Sequence, residues 1–465
     1  MRPSSAAFAA LAVLTTLSLG TSPAVLAQAG QTAPAQTPTF KSTTSLVLVE
    51  VNVLDKDGKP VPNLTADDFQ VKLDGQVRPV RAVTYEQIET PGAVPEAALS
   101  SSDEPTNRVM NDKKTVPLPT PRHRVIVVLV DDLSLTPARG KAMMLAASRF
   151  VQSLPPTDLV GLATTSESTH VNPTTDHLSV QVALPRVVGQ LSDPRDLPGP
   201  PVGIEEGIEI ADGDTFLQRQ VVLRDCFPGV AITPTDAQIA GSKCGDETEH
   251  KARQIGQVAE GTTHQQIRSY IDAINAMRTA PGMKQLVAVS DGLAFVKRSQ
   301  SAVELEPLAK AAAAASVQVT VLTEEPNGVD LAETNKAHDP GSDASVNAQV
   351  RRADALWLQD GIATVADLTG GQYYKVVGTP DPFFARVALS TSAVYELGVE
   401  APAKSEPGRD FNLAVHLNKS GLTVHANRHA LVPAPVAPVP IDTQLKQAIA
   451  TGTPLFGIPI SLGTS

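Results

Sequence analysis

The chain has 465 residues, 49 acidic against 38 basic side chains, a net charge of -11 and 4% aromatics. An acidic surface with few stacking rings argues against nucleic acid or an anionic membrane as partner. The length allows two domains at roughly 100–200 residues each.

Residues 1–27 read as a secretory signal peptide, with Arg2, an apolar stretch over 6–19 and Val25-Leu26-Ala27 before Gln28. An uncleaved anchor is the alternative, but the stretch is short and rich in small residues and threonine. No cysteine follows the cleavage site and no later segment is long and apolar enough to span a bilayer. The mature chain is therefore expected to be exported, periplasmic or secreted, and soluble. Residues 28–43 form a flexible lead-in.

Order begins near residue 44. The run over 46–54 has the β-branched content of a strand and ends in the Asp57-Gly58 turn signal. A capped helical turn over 65–69, a strand over 69–73 and another over 77–85 complete a small β segment, 44–86. It is too short to bury a good core alone. Residues 87–121, dense in Pro, Ser, Thr, Asp and Glu, read as a linker.

The next part, 122–392, alternates strands and helices and predicts a doubly wound, mostly parallel sheet. Its first strand opens at Arg124 with an uninterrupted apolar run over 125–130 that ends at Asp131-Asp132, with Ser134 and Thr136 just beyond. Such a run is the pattern of a parallel strand covered on both faces. Thr136 and Pro137 predict a helix start, with helical spacing through Leu154. A second buried strand, 158–165, closes in Thr164-Thr165-Ser166. The pattern breaks up over 192–261, an insertion holding Cys226 and Cys244. In an exported chain that pair favours one disulfide over two free thiols. Asp212-Gly213-Asp214 reads as a turn rather than a calcium loop. Helical order resumes at Thr263. A strand over 284–290 ends at Asp291-Gly292, and an alanine-rich helix, a strand over 317–323, a helix stopped by Gly370-Gly371, a strand over 372–377 and a short helix follow.

Three short strands over 393–432 then return to β. The two β segments are expected to complete each other as one small sandwich, which flanks the α/β part or receives it as an insertion. Residues 433–465 are a Pro/Ala-rich tail.

Ligands of open α/β sheets bind beyond the carboxyl ends of the strands. Asp132, Ser134 and Thr136 lie there, Asp291 lies at the end of another strand, and Thr262 and Thr263 stand in the Gly-Thr-Thr before a helix. Carboxylates and hydroxyls are hard oxygen donors suited to Mg²⁺, Mn²⁺ or Ca²⁺. Asp131 reads as a solvated or neighbouring group. No Gly-x-Ser-x-Gly elbow or partnered histidine accompanies Ser290-Asp291, so no catalytic residue is assigned.

These residues resemble the von Willebrand factor type A family. The resemblance implies a metal-ion-dependent adhesion site made of Asp132, Ser134, Thr136 in place of the family's last serine, either Thr262 or Thr263, and Asp291 acting through water. It implies Mg²⁺ first, with Mn²⁺ or Ca²⁺ as alternatives, and a protein partner whose Asp or Glu completes the shell. The segments VNVLDKDGKPVPNLTADDF, LRDC, PGMKQLVAVSDGL and LTVHANRHALV are similar to the von Willebrand A-related exported proteins of Acidobacteria. That similarity covers most of 44–432, while Tyr395-Glu-Leu-Gly398 departs from the group's tyrosine-rich strand. A metal-independent scaffold of the cell envelope is the alternative function.

Overall fold

A computed structural model describes residues 46–88, 124–137, 139–191, 198–229, 234–280, 282–294, 300–325, 344–403 and 405–432. The expected signal peptide, lead-in and tail lie outside the described residues, as does nearly all of the expected linker.

Strands from both ends of the described chain make two four-stranded antiparallel sheets. One has the order β13-β1-β11-β4, from Thr423–Ala426, Leu46–Leu54, Ala393–Glu400 and Val80–Gln87. The other is β14-β12-β2-β3, from His429–Leu431, Asp410–Leu417, Phe69–Leu73 and Gln76–Arg78. Strand β1 shows the period of two that a half-buried strand requires. Val47, Val49, Val51 and Val53 are at most 4% exposed, whereas Leu48 is 55% exposed. Leu46 pairs with Glu400 and Val51 with Tyr395, so the first described strand lies against one that comes more than 300 residues later. Both sheets share a core of Val47, Val51, Phe69, Val71, Tyr395 and Phe411. The Tyr395 hydroxyl donates to Val61 O at 2.7 Å and accepts from Leu64 N at 3.1 Å. Its ring packs on Phe69 and Tyr85, with centroids 5.5 and 4.8 Å away.

Between these β segments runs a six-stranded sheet of order β10-β9-β8-β5-β6-β7. The strands are Tyr373–Val376, Val317–Glu324, Met283–Val289, Arg124–Val130, Leu159–Thr164 and His170–Thr174. All pair in parallel except β7, which is antiparallel to β6. Helices cover both faces. Helices α1 (Lys141–Ser153), α2 (His177–Ala183) and α9 (Asp381–Ser390) pack on Ile126, Val128 and Val130. Helices α6 (Lys243–Ala276), α7 (Gln300–Ala315) and α8 (Ala344–Leu368) pack on Val125, Val127 and Leu129. Every residue of β5 is buried, as the unbroken apolar run predicted.

Two expectations are corrected. Helix α1 starts at Lys141, not at Pro137, because Thr136 O accepts Arg139 N in a turn and Gly140, at φ 83°, redirects the chain. The insertion is helical, with α3 (Ile204–Ala211), α4 (Thr215–Cys226) and α5 (Asp236–Ala240). Its last helix, α6, runs on through 261–263, so helical order begins at Lys243. The first half of α6 buries a stripe of small and β-branched residues, Thr248, Ala252, Ile255 and Ala259, at helical spacing against Ile204, Ile210 and Val221. Charged residues around that stripe hide it from a hydropathy reading. Asp214 caps α4 by accepting Leu217 N at 2.8 Å, so Asp212-Gly213-Asp214 is a turn. Cys226 and Cys244 are disulfide-bonded, with Cα atoms 5.8 Å apart, and tie α4 to the start of α6. Among the described residues, no helix is long and apolar enough to cross a membrane.

Candidate functional site

The carboxyl ends of β5, β6 and β8 are drawn together by the ladder itself. Asp131 N donates to Val289 O at 2.9 Å and Thr165 N to Val130 O at 3.0 Å, extending the pairing one residue past each strand. Beyond those bonds the loops diverge, and polar side chains fill the space.

Asp131, expected to be solvated or to neighbour the site, is not solvated and stands at the hub of this cluster. Its side chain is fully buried. One carboxylate oxygen accepts Thr165 Oγ1 at 2.8 Å, and the other accepts Ser290 Oγ at 2.6 Å and Gln266 Nε2 at 2.7 Å. Burial pushes its pKa up to about 6, although the hydrogen bonds from Ser290, Thr165, Gln266 and Ser134 oppose that rise. The Tyr270 hydroxyl is buried in the same layer, near Ser290. Burial and the Asp131 charge hold it well above the usual phenol range.

Asp132, equally buried, turns toward the exit of β6. Its oxygens accept Ser166 N at 2.9 Å, Ser166 Oγ at 2.5 Å, Thr165 Oγ1 at 3.1 Å and Gln190 Nε2 at 2.8 Å. Gln190 N also donates to Asp132 O at 2.7 Å, which pins residues 189–191 over the loop.

Ser134 turns the other way, toward β8. Its hydroxyl donates to Asp131 O at 2.8 Å and accepts Asp291 N at 2.9 Å. The Asp291 carboxylate is paired with Arg139 at 2.9 Å, the two side chains being 10% and 17% exposed. The next residue, Gly292, has φ 147°, and a Cβ there would lie 2.5 Å from Leu358 Cβ on α8. Only glycine fits that approach, so the β8 exit is held against α8.

Helix α6 closes the cluster from one side. Gln266 also donates to Gly292 O at 3.2 Å, and Ser269 Oγ donates to Thr165 O at 2.9 Å. One helix thus braces the exits of β6 and β8 together.

Of the residues expected to hold a cation (Asp132, Ser134, Thr136, either Thr262 or Thr263, and Asp291 through water), the structure brings Ser134 and Asp291 into contact. Thr136 contributes its carbonyl to the Arg139 amide. Thr262 and Thr263 do not lie in a loop. Thr262 Oγ1 donates to Val258 O of its own helix at 2.9 Å, and Thr263 Oγ1 donates to Ala294 O at 3.1 Å. Both threonine hydroxyls are thus engaged within or beside α6. Among the described residues no group of three or more His, Cys, Asp or Glu is gathered around a common point. Thr165, Ser166, Gln190, Gln266 and Arg139 were not among the residues singled out for the site. The Thr-Thr-Ser at the end of β6 was the one local signal that pointed to any of them.

No family model and no curated protein matches this chain. Among solved structures it is similar to the crystal structure of the human COPII-coat protein Sec24c, at 11% identity and a TM-score of 0.25. The match covers 67% of this chain and 44% of that one, so this chain spans less than half of that structure's length.

Proposed function

We propose that this chain is an exported, non-catalytic binding protein. In this reading its von Willebrand A-like α/β domain docks a partner protein at the crevice between the exits of β5 and β8. The observation that carries this is topological. From β5 the sheet proceeds one way through β6 and β7 and the other way through β8, β9 and β10. Open α/β sheets bind ligands at such a reversal, and Asp131, Ser134, Ser290 and Asp291 stand at it. Ser290 donates to a carboxylate rather than to an imidazole base, which supports binding over nucleophilic chemistry.

In its leading form the docking needs no metal and the protein serves as a scaffold of the cell envelope. The Arg139–Asp291 pair favours this, because the carboxylate already has a cationic partner. The second form has Mg²⁺, or Mn²⁺ or Ca²⁺, completed by a partner's Asp or Glu. The hard-oxygen donor set and the Ser134–Asp291 contact favour that form.

The test immobilises the full mature chain and passes an envelope extract of the producing cell over it. The wild type and the sandwich control Val77→Arg are expected to retain a common protein that Ser168→Arg and Gln190→Arg, beside Asp132 on the β6 flank of the crevice, do not. Retention that survives chelator supports the metal-free form, and loss in chelator supports the second. Equal retention by the rim variants contradicts docking here.

A further inference from the structure

We propose that Arg139 is a built-in counter-ion for Asp291, standing in the position a divalent cation would need and keeping the crevice in a metal-free state. The inference rests on the docking site just described and specifies how its charge is regulated.

The geometry comes from the loop between β5 and α1. That loop holds Asp291 twice, by its amide through the Ser134 hydroxyl at 2.9 Å and by its carboxylate through the Arg139 guanidinium at 2.9 Å. Arg139 Nη2 also donates to Glu324 O at 2.8 Å, at the end of β9. The guanidinium therefore bridges the exits of β8 and β9 while its backbone is fixed beside the exit of β5 by the turn onto Thr136 O. Gly140 supplies the left-handed backbone that ends this turn, and its amide lies 3.4 Å from Glu324 Oε2. A turn, a left-handed residue and two separate acceptors hold one long side chain in place. Both partners of the ion pair are largely buried, so solvent and salt screen it less than they would a surface pair.

A divalent cation reaching Asp291 would meet a positive group already on that carboxylate. Like charges in a partly buried site repel strongly, so the ion and the guanidinium compete. Thr262 and Thr263, one of which was expected as a ligand, donate instead to Val258 O and Ala294 O. The chain thus retains the carboxylate and supplies the positive charge from its own backbone neighbourhood.

The experiment is calorimetric titration of the full mature chain with Mg²⁺ and with Mn²⁺ alone, on the wild type, Arg139→Gln, Asp291→Asn and the double variant. Arg139→Gln is expected to bind either ion at least about tenfold more tightly than the wild type, and the double variant is expected to lose that gain. Wild-type affinity equal to that of Arg139→Gln overturns the proposal, and so does negligible binding by both. Should Arg139→Gln not fold, the wild type decides alone. Submillimolar Mn²⁺ binding that Asp291→Asn abolishes contradicts a counter-ion role, and its absence, together with a lower melting temperature for Asp291→Asn, supports it. The titrations need no partner, so they stand whether or not the rim variants lose retention in the extract experiment.

Discussion

The two ends of the parallel sheet both bury charge, and their most buried carboxylates are held in different ways. At the amino end, Arg124 opens β5 and its guanidinium meets Asp158 at 2.6 Å, both side chains being at most 4% exposed. The same guanidinium donates to Thr391 Oγ1 at 3.1 Å and lies 3.4 Å from Ala388 O, where α9 passes into β11. One guanidinium thus joins an ion pair at the foot of the sheet to the segment that leads into the sandwich. Asn52 of β1 adds bonds to Ser390 O and Ala393 O, each 3.1 Å. At the carboxyl end, Asp131 and Asp132 are just as buried, yet their direct partners are hydroxyls and amides. Charge matched by charge builds architecture at one end. At the other, beside the Arg139–Asp291 pair, burial among neutral donors raises the Asp131 pKa, a cost that proteins commonly concentrate at functional sites.

Substitutions can break this contrast. The largest effect is expected for Arg124→Met, which leaves Asp158 buried without its cation and should cost about 3–5 kcal/mol in denaturant unfolding. A cost near zero would mean that the amino end is not braced as described. The paired Cys226→Ser and Cys244→Ser substitution opens a crosslink of sequence separation 18. It should cost about 3 kcal/mol, with hydrogen exchange accelerating in α4 and the first half of α6. Exchange unchanged there would show that the insertion stands without the bond.

Asp131→Asn is expected to act with the opposite sign to Arg124→Met. Asp131 has a native pKa of about 6, above its ordinary value of 3.8. Below the ordinary value both states are protonated and stability is complete. As pH rises toward and past 6, the unfolded chain releases its proton first and stability falls. The full cost is about 3 kcal/mol at pH 8. In chelator, the variant should therefore gain on the wild type between pH 4 and 8, and a constant difference would contradict the burial argument. The smallest effect is expected at Tyr395→Phe, confined to the sandwich. It leaves Leu64 N and Val61 O without their partner, at about 1–2 kcal/mol, with the crevice residues' exchange unchanged.

Sequence patterns reached the sheet more readily than the site. The run over 125–130 was legible because burial on both faces leaves no polar residue in it. Its end at Asp131-Asp132 located the crevice for the same reason. For Asp131 the solvated reading fails and the neighbouring one stands, although two adjacent carboxylates in a turn are ordinarily solvated. Its burial depends on Thr165, Gln266 and Ser290, which come from three remote segments. Thr263 looked like a loop hydroxyl because the stripe that makes α6 helical from Lys243 is built of small residues between charges. Arg139 had no signal in Leu-Thr-Pro-Ala-Arg-Gly. Its position follows from Gly140 and from where β9 ends, neither of which is local.

The central claim is that the carboxyl end of the sheet is where a partner docks. Its most direct test is photo-crosslinking in the producing cell, with the reactive residue at Ser168 beside the crevice or at Val77 in the sandwich. The account predicts a discrete adduct from Ser168 that Gln190→Arg removes, and none of that mass from Val77. Adducts of the same mass from both positions, or one from Ser168 that Gln190→Arg leaves intact, would contradict it.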